Sequence, residues 1–527
     1  MIGRLRSCLA ASTLLAALLG AGTAFAQEPG GILQMPGFAS PASMSIHEES
    51  TIAAGIPLMG VFNNLVLFDQ HVAQNSLASI VPELASDWSW DETGTALTFH
   101  LHQGVKWHDG KPFTAADVKC TWDALAGKAS DKFRVNPRKS WYGNLDEITT
   151  NGDYEVTFHL KRPQPYLIAL LASGQSPVYP CHVPLRDMRS HPIGTGPFKF
   201  VEYKPNEHIR VVRNPDYWKP GRPYLDGIET TIIPSVSTRL LAFVAGKFDM
   251  IQLTVPQLKD AQSQAPEARC DVVMDNNSRD LLINRAKPPF DNPDLRRAMT
   301  LTLDRKAFID IISGGQGEIG GAMQPAPAGL WGMPPALLNT LPGYGPDVEK
   351  NRAQARQIIQ TLGYGRDNHL KIKVTARDIP YYRDPAVILI DQLKEVYIDG
   401  ELEPVDTTNF FPKMLRRDYV VGLNLQGAAD PDQTFPLGYG CGSEFNRDNY
   451  CNPAVDELIE QQSIEADQQK RKQLVWQIER KLAEDSARPI IFYSRGGTCR
   501  QPAVKGLTLM VNSIFNGNRR EDVWLDK

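Results

Sequence analysis

The sequence predicts an α/β protein of two or three domains, and three observations predict it. The chain has 527 residues, too many for one ordinary hydrophobic core, which stops growing beyond about 250–300 residues. Its first half alternates apolar and polar residues in short runs bounded by turn formers, the pattern of strands with one buried face. Its second half carries a strand–helix–strand–helix–strand succession, the unit of an open parallel sheet.

The first element is an address and not part of the fold. Arg4 and Arg6 precede an apolar stretch from Leu9 to Leu19, and Ala24-Phe25-Ala26 supplies a small-residue cleavage pattern before Gln27. Residues 1–26 therefore read as a secretory signal peptide, with an apolar core too short to cross a ~30 Å hydrocarbon layer comfortably. Cys8 precedes that stretch, whereas a lipid-attachment cysteine would follow it. The expected product is a soluble, exported chain.

The remaining elements follow in order. Residues 96–102 and 155–161 alternate as strands, and the Gly/Pro-rich run 104–113 lies between them. Thr114 and Asp117 are spaced as a capping box, opening a helix with Val118, Trp122 and Leu125 on one face. Asn292 and Pro293 suit the N-cap and first position of a helix running through Arg296, Met299 and Leu303. A helix is expected over 351–362, with Gly363 ending it. The informative run then places strands at 370–375, 401–405 and 419–425 and helices at 385–397 and 410–416, with Pro404 marking an edge or irregular strand. Helices over 454–463 and 468–484 and a strand over 489–493 complete the pattern.

In open α/β sheets ligands bind beyond the carboxyl ends of the strands. Two segments qualify. The loop 377–384 brings two rings and two guanidiniums, with Tyr381, Tyr382 and Arg383 as candidates. The strand end and loop 424–432 bring Asn424, Gln426, Asp430 and Asp432. Together these residue types would grip a solute with both charge signs and an apolar body.

Composition excludes several classes. Lys and Arg number 56 against 60 Asp and Glu, without a basic run, so nucleic acid is not expected as a partner. No cofactor or metal site is expected: the spacings contain no C-x-x-C pair. Six of the seven cysteines follow the signal, an even number suited to disulfides in an oxidising compartment. Cys441 and Cys451 bracket one Gly/Asn-rich loop and form the expected bridge, while the pairing of Cys120, Cys181, Cys270 and Cys499 stays open. Gly315 to Gly320 matches G-x-G-x-x-G, but a helix over 304–312 precedes it where a nucleotide site needs a strand. His108-Asp109 sits on a turn whose two side chains are not expected to meet. Trp88, Trp90, Trp107, Trp122 and Trp141 read as packing residues.

Several of these segments carry a family resemblance. Glu83 to Trp88, Leu97 to Val118, Gly194 to Phe200, Asn214 to Trp218, Asn284, Pro289 to Asp291, Arg296 to Ala298, Asp304-Arg305 and Asn452 to Leu458 occur in the order found in family 5 extracellular solute-binding proteins. These include the dipeptide-, oligopeptide- and nickel-binding components of ABC importers. The resemblance implies a two-lobed periplasmic-binding-protein fold (type II, large cluster C-like) with an extra subdomain in lobe I. Lobe I would comprise 27–277 with 491–527, lobe II 278–490, and the hinge would lie near 277 and 490. It implies a periplasmic monomer that captures a peptide or peptide-like solute and presents it to a membrane permease, and through it an ATPase. Tyr493 falls in a stretch that is ring-rich in oligopeptide-binding relatives and joins the candidates. Dipeptide-binding relatives hold the ligand's amine with an acid that falls here at Gly427, followed by Ala428 and Ala429, so either Asp430 is the candidate substitute or the solute lacks a free amine. Their carboxylate-gripping Arg falls nearest Tyr381, close to Arg383. The alternative is a secreted hydrolase, for which the sequence offers no assembled nucleophile–base pair.

Overall fold

A computed structural model describes residues 29–49, 51–427, 429–513 and 516–526. The expected signal peptide, Cys8 and Ala428 lie outside the described residues. The chain forms two lobes, each around its own apolar core, joined by a shared seven-stranded sheet.

The first core lies among two four-stranded sheets. Strands Ala85–Trp90, Ala96–Leu101, Glu155–Leu160 and Leu145–Thr150 pair antiparallel, and the Ala115–Leu125 helix packs on them. Its capping box forms as expected, Thr114 bonding the Asp117 backbone and Asp117 bonding back to the Thr114 N–H. Trp122 and Val118 enter the core with Phe99 and Phe158. The second sheet pairs Ile32–Gly37 in parallel with Gly227–Ile232, followed by the antiparallel strands His208–Arg213 and Phe198–Lys204.

The second core sits on the strand–helix succession. Leu370–Arg377 runs parallel to both Ile398–Val405 and Val421–Gly427, as expected, and Ile398–Val405, which carries Pro404, is an edge strand. The sheet is mixed rather than purely parallel, because Val421–Gly427 pairs antiparallel with the long strand Arg269–Ile283. That strand pairs antiparallel with Ile490–Arg500, which in turn pairs with Met250–Thr254. The helix expected from residue 385 begins at Pro380, which takes a first-turn position where its missing N–H costs nothing, and runs to Lys394. Loop 377–384 is thus mostly the first turn of a helix.

Arg269–Ile283 and Ile490–Arg500 pass from one lobe into the other. Leu281, Leu282, Ile283, Ile491 and Phe492 belong to the second core, whereas Cys499 packs with Phe243, Ile251 and Leu258 beside the first. Between these ends the register slips: Met274 faces Arg495 and Ser278 faces Tyr493.

Three disulfides form: Cys441–Cys451 as expected, Cys120–Cys181, and Cys270–Cys499 directly across the two connecting strands. Among the described residues no helix is long and apolar enough to cross a membrane.

One buried acid gives the fold a pH dependence. Glu479, on the Gln468–Glu484 helix, accepts a hydrogen bond from the Met323 N–H at 2.8 Å, with the Met333 and Ala322 N–H groups also directed at it, and among the described residues no cation pairs with it. Burial pushes its carboxyl from 4.5 up to about 8. Between those values the folded chain holds a proton that the unfolded chain has released. Stability therefore falls as pH rises through that window and levels off above it. Glu479→Gln is expected to remove this slope, leaving the protein on the order of a few kcal/mol more stable than the parent at pH 8 and little changed near pH 4.5. Urea unfolding at the two pH values checks it.

Candidate ligand-binding site

A cavity of about 870 Å³ lies between the lobes, within the ~300–1,000 Å³ typical of small-molecule sites. The connecting strands supply Met274, Asp275, Asn277, Arg279 and Ser494. The first lobe adds Arg138, Trp141, Leu253 and Leu509, and the second adds Arg377, Tyr381, Phe411 and Gln426. The walls are mostly apolar, with polar groups at chosen points.

The connecting strand places Arg279 at the centre of a stack. Its guanidinium lies 4.1 Å from the Tyr381 ring centre and 4.7 Å from that of Phe492, and it donates to Ser494 Oγ at 2.6 Å. The Tyr381 hydroxyl donates to Asp275, which also accepts from the Asn277 side chain at 2.9 Å. Burial, with the Asp275 charge, pushes the Tyr381 hydroxyl up to about 12, so it remains a donor at any physiological pH. The wall is thereby rigid: ring, guanidinium and carboxylate hold one another.

Arginines dominate the rest of the polar lining. Arg377 donates to Thr407 Oγ1 at 3.1 Å and Arg447 to Asn424 Oδ1 at 2.7 Å. Arg138 lies over Trp141, 5.8 Å from its ring centre, and Arg520 donates to the Ile56 carbonyl and to Asn518. Burial lowers Arg138, Arg447 and Arg520 to about 10, where they still carry their charge at neutral pH. Arg488 is neutralised by Asp280, and Arg495 by Glu318 at 2.7 Å.

The structure separates the residues singled out from sequence. Tyr381, Tyr382 and Gln426 line the cavity, as do Gly427 and Gln433. Arg383 does not: it is half-exposed and pairs with Asp378 and Asp384. Asn424 is buried behind the wall, between Asp280 and Arg447. Tyr493 is fully buried, its hydroxyl bonded to the Gly321 carbonyl. Asp430 and Asp432 also turn away from the cavity. Asp430 is the N-cap of the Pro431–Gly438 helix, which directs its carboxylate back to the Asp432 N–H. Both carboxylates then meet the buried Arg471, Asp430 at 3.1 Å and Asp432 at 3.3 Å. Asp430 is therefore committed to a structural ion pair and does not stand in for an acid at Gly427. His108 and Asp109 likewise point apart, His108 to the Gly196 carbonyl and Asp109 to His182.

Trp141, expected as a packing residue, lines the cavity, and its indole N–H donates to the Gln433 carbonyl at 3.0 Å, joining the first lobe to the Pro431–Gly438 helix. A lone Trp carries no signal that separates this role from core packing. Arg377 is one of the two guanidiniums that the loop 377–384 offered, whereas Arg138, Arg447 and Arg520 were not singled out as ligand groups by pattern, because they converge only in space. Among the described residues no group of three or more His, Cys, Asp or Glu is placed to hold a metal ion.

Comparison with known proteins agrees with this architecture. The model of bacterial extracellular solute-binding proteins, family 5 Middle, matches residues 79–446. Over 446 residues the chain is 27% identical to the oligopeptide-binding protein AppA of Bacillus subtilis (strain 168), covering 79% of this chain and 78% of that one. It is 25% identical to di/tripeptide-binding protein 1 of Pseudomonas aeruginosa (strain UCBPP-PA14), covering 80% and 81%. The periplasmic binding protein DppA of Helicobacter pylori, solved with the peptide STSA, superposes with a TM-score of 0.80 at 22% identity, over 95% of this chain and 99% of that one.

Proposed function

This chain belongs to the bacterial extracellular solute-binding proteins of family 5, and from that premise we propose that it captures a peptide or peptide-like solute between its lobes and delivers it to the permease of an ABC importer. One observation carries the reading: a largely apolar cavity of about 870 Å³ walled by both lobes and by the two strands that connect them. A solute held there touches both lobes at once, so binding energy favours the closed arrangement over the open one.

The hinge falls where the connecting strands lose register. Residues 275–277 and Ser494 opposite lie at the slip between the Met274–Arg495 and Ser278–Tyr493 pairings, and a second slip follows at Ile491, between the Arg279–Phe492 and Asp280–Ile490 pairings. Backbone outside regular pairing absorbs rotation with the least loss of hydrogen bonds. Lobe I is the first half with the chain after this crossing, and lobe II is the intervening segment. The solute is received in the periplasm, after removal of residues 1–26, by a monomer. N-terminal sequencing of the exported protein checks the cleavage and is expected to begin at Gln27.

Two outcomes follow for the purified protein. A peptide ligand at 100 times its dissociation constant raises the unfolding free energy by about 2.7 kcal/mol, read as a thermal shift without turnover of the peptide. Tyr381→Ala lowers affinity tenfold or more, because it removes a cavity wall and the ring that holds Arg279 in place. Normal affinity in this variant would remove the cavity from the reading.

A further inference from the structure

Resting on the solute-binding reading above, the geometry points to a solute that carries at least two oxyanion groups, carboxylate or phosphate, on an apolar body. The observation is an imbalance of charge in the cavity wall. Arg138, Arg239, Arg279, Arg377, Arg447 and Arg520 all line it. Among the described residues none of the six has a carboxylate within ion-pair distance. Their acceptors are neutral: backbone carbonyls for Arg138 and Arg239, hydroxyls for Arg279 and Arg377, amide oxygens for Arg447 and Arg520, the last also bonding a carbonyl.

Two carboxylates line the same wall. Asp275 is occupied by the Tyr381 hydroxyl and the Asn277 amide, and Asp384 faces the Arg383 guanidinium at 3.7 Å. The remaining arginines of the lining, Arg488 and Arg495, are already neutralised by Asp280 and Glu318. Asp275 keeps its own negative charge, and beyond it the wall holds an excess of positive charge that no ion pair among the described residues offsets.

Such an arrangement costs stability. A buried guanidinium without a counter-charge loses hydration and regains only part of it from neutral acceptors. Among the described residues, Arg138, Arg279, Arg377, Arg447 and Arg520 each hold a buried nitrogen, closed off from the cavity, with no acceptor, so their lost hydration is only partly regained. A ligand oxyanion at the cavity surface supplies the missing counter-charge, with paired acceptors for the guanidinium edges that face it. Placement argues for two such groups. Arg138, Arg239 and Arg520 come from the first lobe, Arg377 and Arg447 from the second, and Arg279 from the strand between. One anionic group on each side would draw the lobes together. Trp141, Leu253, Tyr381 and Phe411 supply the apolar surface between them.

The test uses the purified full-length exported protein and four probes: Glu-Glu, 2-phosphoglycerate, Ala-Ala and Lys-Lys. Thermal shift and titration are read at low and high salt, beside mass spectrometry of any small molecule that co-purifies. The expected result is binding of Glu-Glu or 2-phosphoglycerate, weaker at high salt, with Ala-Ala and Lys-Lys at least tenfold weaker. Preference between the two anions separates carboxylate from phosphate. Arg377→Gln and Arg447→Gln each lower anion affinity tenfold or more while the ligand-free melting temperature holds or rises, which excludes misfolding as the cause. Gly427→Asp places a carboxylate where an added Cβ meets nothing nearer than Asn277 Oδ1 at 3.5 Å, and it is expected to lower the affinity for 2-phosphoglycerate, which has no amine, tenfold. If Ala-Ala or Lys-Lys binds as tightly as the anions, the charge inference falls and the solute-binding reading stands. If no probe binds, the charge of the co-purified molecule decides: an anion supports the inference, and a neutral or cationic molecule overturns it. If nothing binds and nothing co-purifies, both fall.

Discussion

Arg471→Met is expected to lower stability by about 3–5 kcal/mol, the usual cost of removing one partner from a buried ion pair. Arg471 is fully buried, and its guanidinium serves Asp430 and Asp432 together while stacking 3.6 Å from the Tyr166 ring centre and 4.5 Å from that of Trp331. Methionine keeps the stem and loses the charge, so two neighbouring carboxylates stay buried with no cation. Asp432 retains neutral donors from Gln164, Gln462 and Ser463, which bounds the loss. Burial and the Asp432 charge already raise the Asp430 carboxyl, and without Arg471 it rises further. In the variant the folded state then holds protons that the unfolded state has released above about pH 3.9, so the defect grows as pH rises. Urea unfolding followed by tryptophan fluorescence is expected to show a larger loss at pH 8 than at pH 5. Asp430→Asn with Asp432→Asn in the Arg471→Met background is expected to recover much of it, because Asn still caps the helix and still accepts from Gln462.

The same cluster explains what sequence alone reveals about this protein and what it hides. Local signals were legible. Thr114 with Asp117, Asn292 with Pro293, and Gly363 mark helix ends where the backbone N–H and C=O groups need partners, and each serves that end in the structure. The strand–helix succession from Leu370 to Gly427 was legible because period and turn chemistry are local. Its neighbours in the sheet were not: Arg269–Ile283 joins Val421–Gly427 from about 150 residues away, and no periodicity encodes that pairing.

Site residues divide along the same line. Tyr381, Tyr382 and Gln426 line a cavity that lies where strand ends predict a cleft. Asp430 and Asp432 were placed on the correct loop, yet their orientation depends on Arg471, which arrives from the Gln468–Glu484 helix some forty residues on. Helix capping turned the Asp430 carboxylate inward, and Arg471 with Gln164, Gln462 and Ser463 holds that of Asp432, a choice the Asp-Pro-Asp run permits but does not announce. Most arginines of the cavity escaped notice for the complementary reason: Arg377 belongs to the loop noted for its guanidiniums, but Arg138, Arg447 and Arg520 do not. Charged residues are usually solvated, and only burial together with neutral acceptors distinguishes Arg447 from a surface arginine.

Breaking the Cys270–Cys499 bridge, as Cys270→Ser with Cys499→Ala, is expected to cost about 5 kcal/mol by the chain-entropy argument for a closed loop of 229 residues. The loop it closes is the whole second lobe. This decides where the loss falls. While either lobe is folded, its strands hold residues 270 and 499 near each other, so the bridge adds little constraint. Only once both lobes unfold does the bridge alone keep these ends together, and the full entropy difference then appears. Calorimetry of the variant is therefore expected to lower strongly the last transition to unfold and the earlier one slightly, in a profile that a two-lobed chain need not follow in one step. Uniform shifts of both transitions would mean that the bridge acts on native packing instead. Ligand affinity separates the bridge from the hinge. The disulfide lies on the first-lobe side of the register slip, beyond Met274 and Arg495, and spans neither 275–277 nor Ser494 opposite. It braces the neck without clamping the pivot, so the variant is expected to bind its solute with affinity within a factor of about three of the parent at temperatures where both are folded. A large change in affinity would place the pivot further up the strands, at the bridge itself.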